Sequence, residues 1–210
     1  MSKGNSMADH AFEEVLSPHL YFDREHKTEA AKILPGEYYA TGRDMVLVTV
    51  LGSCVCACIR DRVSKIGGMN HFMLPESGQD KNNPMGESAR YGVYAMEILI
   101  NQLLKIGAKR SNLEAKVFGG GSVLRGFTIN NVGERNANFV LDFLKTEKIP
   151  VVAKDLLDIF PRKVYYFPDS GLVRVKKLRQ VHNDTIITRE AEYNSRLHYS
   201  KLEGDVELFG

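Results

Sequence analysis

Apolar residues along this chain gather into short runs whose period changes from place to place. Met45-Val46-Leu47-Val48-Thr49-Val50-Leu51 is largely apolar and β-branched, and its length predicts a buried strand rather than a helix. Gly52-Ser53 breaks the run just before Cys54. Val55 to Ile59 suits the start of a helix or a second strand, and its pattern does not decide. Asp61 to Lys65 is a polar turn, and Ile66 to Leu74 reads as a strand that Pro75 ends. Upstream, Pro35-Gly36 signals a turn and Glu37 to Thr41 a short strand. The clearest helix carries Met96, Leu99, Ile100 and Leu103 at i, i+3, i+4 and i+7, with Ser88 as a candidate cap and Gly107 as its stop. Ala115 to Phe118 is a short strand leading into Gly119-Gly120-Gly121. Phe139, Val140, Phe143 and Leu144 share one face of a second helix, from about Asn136, a candidate cap, to Lys145. Ile149 to Ala153 follows as a strand. Lys163 to Phe167 and Leu172 to Val175 form a hairpin that turns at Gly171. The order helix–strand–helix–strand argues for a mixed α/β core.

The ends are less patterned. Phe12, Leu16 and Leu20 permit a short peripheral helix, which Pro18 interrupts; a flexible arm is the alternative, with the first ten residues disordered. The polar stretch 76–88 contains Gly78, Pro84 and Gly86 and reads as a loop that could overhang whatever site lies near His71. Beyond residue 181, β-branched residues precede a candidate short helix from Ala191 to Leu197, and the tail reads as peripheral.

With 210 residues, 43% of them hydrophobic, the chain can build one substantial core. A net charge of +2 offers no basic surface for nucleic acid, and no apolar run approaches the roughly 20 residues of a membrane span. With no apolar segment behind Met1 to Ser6, the expectation is a cytoplasmic protein. Cys54, Cys56 and Cys58 make a poor disulfide framework, because strand positions two apart cannot easily bridge. Their spacing also lacks the turn that wraps zinc, so no metal is expected; Cys56 and Cys58 read as small buried thiols.

Cys54 differs by its neighbours. A thiol in a small-residue turn after an apolar strand is a candidate nucleophile, and His71, at the end of a second strand, is a candidate base. Gly52 and Ser53 permit a tight turn whose N–H groups could hold a developing oxyanion. The residues alone leave a packed-core reading open beside the catalytic one. Gly119-Gly120-Gly121-Ser122 lacks phosphate-loop spacing and reads as close packing beside a cleft or as a structural turn. Arg135 faces the cleft or solvates the surface, and Lys176, Lys177 and Arg179 read as a solvated edge.

At Leu51-Gly52-Ser53-Cys54 and Gly68-Met69-Asn70-His71-Phe72-Met73-Leu74-Pro75 the chain resembles the CheD family of chemoreceptor glutamine deamidases. The likeness continues through Tyr91-Gly92, the helix around Met96, Ala115 to Gly121, Asn131 to Asn136, and Arg162 with the hairpin after it. The resemblance implies a compact single domain of mixed α/β fold with layered β-sheet and packed helices. Its catalytic part would span 33–180, between an N-terminal arm (1–32, partly flexible) and a peripheral C-terminal extension (181–210). It further implies a cytoplasmic, cofactor-free enzyme. That enzyme converts glutamines in the helical cytoplasmic region of methyl-accepting chemoreceptors to glutamates, with Cys54 as nucleophile and His71 as base and acid. Alternatives are a non-catalytic module docking a CheC-type phosphatase, or another thiol amidase or methylesterase. A monomer with transient partners is expected. Two positions depart from the family. The threonine that completes the family's site would fall at 48, where this chain has Val48, with Thr49 beside it; Thr49 is the candidate third group only if the strand re-aims it. The family's paired glycines between Asp155 and Arg162 are replaced by Leu156-Leu157-Asp158-Ile159-Phe160, which would alter access, form a docking patch or simply change packing.

Overall fold

The computed structural model describes residues 19–75, 87–122, 132–179 and 184–199. These make three layers: two five-stranded sheets face to face, and two helices on the outer face of one sheet. The strands are β1 (His19–Asp23), β2 (Thr28–Lys32), β3 (Tyr38–Thr41), β4 (Val46–Leu51), β5 (Val55–Asp61), β6 (Gly67–Asn70), β7 (Leu113–Gly119), β8 (Val151–Leu156), β9 (Arg162–Phe167) and β10 (Leu172–Lys177). The helices are α1 (Glu87–Lys105), α2 (Val132–Thr146) and α3 (Asp184–Tyr199). One sheet has the order β1-β2-β4-β9-β10 and the other β3-β6-β5-β7-β8. Both are mixed, because β2 pairs parallel with β4 and β7 parallel with β8.

Side-chain alternation assigns the layers. Leu47 and Leu51 of β4 face inward, where they meet Cys56 and Cys58 of β5, Met69, Val164 and Tyr166. Val55, Ala57 and Ile59 point the other way, against Met96, Leu99, Leu103, Val140 and Leu144 of α1 and α2. Both faces of β5 are therefore buried, so its sequence shows no polar alternation to mark it as a strand. Cys56 and Cys58 are the buried, unbridged thiols expected of them.

Several boundaries differ from the sequence reading. Residues 19–32, grouped above with the arm, form the antiparallel pair β1–β2 on the edge of a sheet, with Ala30 and Ala31 fully buried. The alanines sit side by side among charged residues, so no period of two betrays the strand. Helix α2 begins four residues before Asn136, which is therefore inside the helix rather than its cap. Helix α1 begins at Glu87, so Ser88 lies in its first turn, where its hydroxyl donates to the Pro75 carbonyl (2.8 Å). The expectations for residues 1–18 and for most of the 76–88 loop lie outside the described residues. Among the described residues, no helix is long and apolar enough to cross a membrane.

Candidate active site

Strand β4 belongs to one sheet and β5 to the other, so Gly52-Ser53-Cys54 is the crossover between the two layers. Its peptide groups are held from behind at every carbonyl. Gly121 N–H donates to Gly52 O (2.8 Å), the Asn136 amide nitrogen to Ser53 O (2.9 Å), and Gly120 N–H to Cys54 O (2.7 Å). The glycine run is thus the structural backing of the cysteine turn. Gly119 has φ +110°, and a Cβ there would lie 2.2 Å from the Cys54 carbonyl oxygen, so no other residue fits. Asn136 does more than the sequence indicated. It is fully buried, and its Oδ1 also accepts the Leu74 N–H (2.9 Å), tying the cysteine turn to the segment after β6 that carries His71.

With the carbonyls fixed on one side, the three N–H groups of Gly52, Ser53 and Cys54 point to the other. There they meet a carboxylate from the far end of the chain. Glu190 Oε1 accepts from Gly52 (2.8 Å) and Cys54 (3.1 Å), and Oε2 from Ser53 N–H (2.8 Å) and the Ser53 hydroxyl (2.6 Å). Glu190 is buried on α3, within the segment read above as a peripheral extension. Nothing in the sequence marked it, because α3 is polar and lies more than a hundred residues beyond the turn.

His71 lies just past the end of β6 and is locked on both sides of its backbone. Its N–H donates to Glu37 O (2.9 Å), and its carbonyl accepts Gly36 N–H (2.7 Å). Its Nδ1 is 2.7 Å from Thr49 Oγ1, and that hydroxyl lies 2.7 Å from the Ile33 carbonyl. A carbonyl can only accept, so the single hydroxyl proton of Thr49 goes to Ile33 O. Thr49 must then accept from His71 Nδ1–H, which leaves the Nε2 lone pair free. Among the described residues Nε2 has no hydrogen-bond partner although it is buried. No bulge is needed to bring Thr49 here. By regular alternation Leu47, Thr49 and Leu51 face one side of β4, and Val48 packs on the opposite face with Val46, Ala30 and Tyr165. The geometry therefore brings Cys54, His71 and Thr49 together.

The donor atoms of Cys54, His71 and Glu190 lie within 4.8 Å of one another, a composition that could ligate a metal. Both Glu190 oxygens, however, already accept two hydrogen bonds each, and zinc would have to displace them. The electrostatics suit a neutral pair. Burial pushes the Cys54 thiol well up, and the neighbouring Glu190 charge adds to that. Burial also lowers His71 to about 4, partly offset by Glu190. Thiol and uncharged imidazole thus stand side by side, with a base lone pair available to take the thiol proton.

The other expected residues find plain roles. Asn70 accepts Ala57 N–H and donates to Ala95 O, so it holds β5 and α1 rather than His71. Arg135 donates to the carbonyls of Leu74 and Pro75, bracing the chain after His71. Lys177 pairs with Asp158 (2.7 Å). In the loop after β8, Leu157 and Asp158 adopt the glycine-like conformation (φ 66° and 82°), which costs about 1–2 kcal/mol at an ordinary residue. The loop is held by Leu157 N–H to Gly119 O, by Ser122 N–H to Asp158 O, and by the buried Arg162 guanidinium on Asp155 and the Leu157 carbonyl.

Residues 73–177 match the family model described as CheD chemotactic sensory transduction. A protein of Methylobacillus flagellatus described as "Probable chemoreceptor glutamine deamidase CheD" is 66% identical over 198 residues, covering 94% of this chain and 98% of its own. A protein of Herminiimonas arsenicoxydans with the same description is 65% identical over 196 residues, covering 93% of this chain and 97% of its own. At that identity and coverage the chain belongs to the CheD family of chemoreceptor glutamine deamidases.

Proposed function

We propose that this protein hydrolyses the side-chain amide of chemoreceptor glutamines through a thioester on Cys54. The observation that carries the reading is the convergence, at one buried point, of a thiol, an imidazole lone pair fixed by Thr49, and two N–H groups aimed at one oxygen. His71 Nε2 takes the thiol proton as Cys54 Sγ attacks the carboxamide carbon. The amide oxygen becomes an oxyanion and rests on the N–H groups of Gly52 and Cys54, the pair that holds Glu190 Oε1. His71, now protonated at Nε2, gives that proton to the departing nitrogen, and ammonia leaves. Water then attacks the thioester carbon, with His71 again as base. Glutamate leaves and the Cys54 thiol is restored. Thr49 keeps the ring in one tautomer throughout and touches no reacting atom.

The substrate glutamines would lie in the helical cytoplasmic region of methyl-accepting chemoreceptors. Leu157 and Ile159, exposed on the loop after β8, offer an apolar surface on which a CheC-type phosphatase would dock. The test is ammonia release from a purified chemoreceptor cytoplasmic fragment, measured alongside glutamate formation at its glutamines. The wild type should produce both in equal amounts, and Cys54→Ala and His71→Ala neither. Conversion of receptor glutamines by Cys54→Ala at the wild-type rate would rule the thiol out.

A further inference from the structure

We infer that α3 is a built-in product mimic. Glu190 sits where the glutamate made from a substrate glutamine would sit, and the helix has to withdraw before a receptor segment can enter. The inference rests on the deamidase reading of the Cys54 site and adds to it an internal ligand and a closed state.

The N–H groups of the cysteine turn are all spent on one group. Its three N–H groups and one hydroxyl donate to a single carboxylate. One carboxylate oxygen takes the two N–H groups that would stabilise an oxyanion, and the other lies where the amide nitrogen would leave. A residue that assisted the chemistry would have to leave those donors free for substrate. Glu190 consumes them.

The fit is equally close. A Cβ at Gly52 would lie 2.9 Å from Glu190 Oε2, so the turn and the carboxylate are in direct contact. The acid, the thiol and the imidazole share one buried point: Cys54 is fully covered and His71 nearly so. A receptor side chain therefore has no route to the thiol while Glu190 is in place. The negative charge beside the thiol also opposes thiolate formation, the opposite of what an assisting residue would do.

The helix is lightly fastened. Of its described side chains only Glu190 and Tyr193 are buried. Tyr193 lies against Gly36, where a Cβ would meet its ring at 2.9 Å, and its hydroxyl meets that of Tyr91. Arg189, Glu192 and Arg196 are exposed on the same helix. Glu190 and Tyr193, about one turn apart, and the half-buried Leu197 against the inter-sheet core seat the helix, a set of contacts small enough to release it. A receptor helix presenting a glutamine to the same donors would compete for the same place.

Two variants test this in the full-length protein, each with folding checked by circular dichroism. Glu190→Ala removes the carboxylate, and Tyr193→Ala loosens the helix while leaving Glu190 and the donors intact. Two readouts are needed: alkylation of Cys54 by iodoacetamide, located by peptide mass spectrometry, and deamidation of a receptor cytoplasmic fragment. Both variants should alkylate about tenfold faster than wild type or more, because the covered state is no longer the dominant one. Both should also deamidate the fragment faster at low fragment concentration. Unchanged alkylation with unchanged or lowered deamidation would overturn the inference and leave the deamidase reading standing. Faster alkylation with no deamidation by any form would support the closed state and sink the deamidase reading instead. Wild-type alkylation that a chelator raises to the variant rate would overturn the inference in favour of a bound metal.

Discussion

Thr49→Val separates a positioned catalytic pair from two buried residues that merely touch. Valine has nearly the volume of threonine, and Thr49 is 1% exposed, so packing is retained and only the hydroxyl is lost. That hydroxyl makes two bonds of 2.7 Å, one to the Ile33 carbonyl and one from His71 Nδ1–H. Each of the two partners left unpaired in the interior costs about 1–3 kcal/mol, so the variant should lose about 2–6 kcal/mol of stability. The kinetic effect is more specific. Without an acceptor at Nδ1 the imidazole is free to place its proton on Nε2, and in that tautomer it cannot take the Cys54 proton. It is also free to rotate. We expect kcat to fall by about 10²–10⁴, the range associated with losing a positioned general base. KM for a receptor fragment should stay within about threefold, because Thr49 touches none of the donors that hold the Glu190 carboxylate. Thr49→Ser restores both bonds and should recover most of the rate. The assay is steady-state deamidation of the fragment, with thermal unfolding measured in parallel. A Thr49→Val enzyme that keeps kcat within threefold of wild type, while His71→Ala is inactive, would refute the tautomer argument.

Three further outcomes follow from the same geometry. Asn136→Ala should lower the unfolding free energy by about 2–6 kcal/mol, since it leaves Ser53 O and Leu74 N–H unpaired in the core; a denaturant titration showing less than about 0.5 kcal/mol would contradict the bracing role. His71 is lowered by burial from 6.5 to about 4, so the unfolded chain takes up its proton first as pH falls: stability from this group is intact above about pH 6.5 and is lost, by about 3 kcal/mol, on reaching pH 4. Unfolding of His71→Gln should show a correspondingly flatter dependence between those limits, and an unchanged slope would count against a buried neutral imidazole. Glu190→Gln places a carboxamide at the thiol in the same molecule, and residue 190 should gain about 1 Da with time, a conversion absent when Cys54→Ala is combined with it; a carboxamide that remains unconverted at position 190 would show that the seated side chain is not in a reactive position.

Parts of this architecture are legible in the sequence for identifiable reasons. Helix α1 announces itself through the stripe Met96, Leu99, Ile100 and Leu103, all of which are buried against β5 and β6. Strand β4 is marked by its β-branched run, and the β9–β10 hairpin by Gly171, which takes φ +71° at the turn. Cys54 and His71 stand out because small residues flank the thiol and a strand ends at the imidazole. Strand β5 does not declare itself, because burial on both faces erases the alternation that identifies a strand. Thr49 looks misplaced by one position only because a neighbouring residue is expected there; alternation along β4 puts it on the inner face. Asn136 and Glu190 are the real omissions. Each acts across a long sequence separation, mainly on backbone groups, and the turn they serve displays neither in its own sequence.

Conversion of receptor glutamine to glutamate by Cys54 is the central claim. It is tested most directly by residue-resolved mass spectrometry of a chemoreceptor cytoplasmic fragment incubated with wild-type protein or with Cys54→Ala. The predicted result is a gain of about 1 Da at a small set of glutamines on the receptor helices with wild type, and none with the variant. A folded, otherwise modifiable fragment left unchanged by the wild type and by Glu190→Ala alike would contradict it.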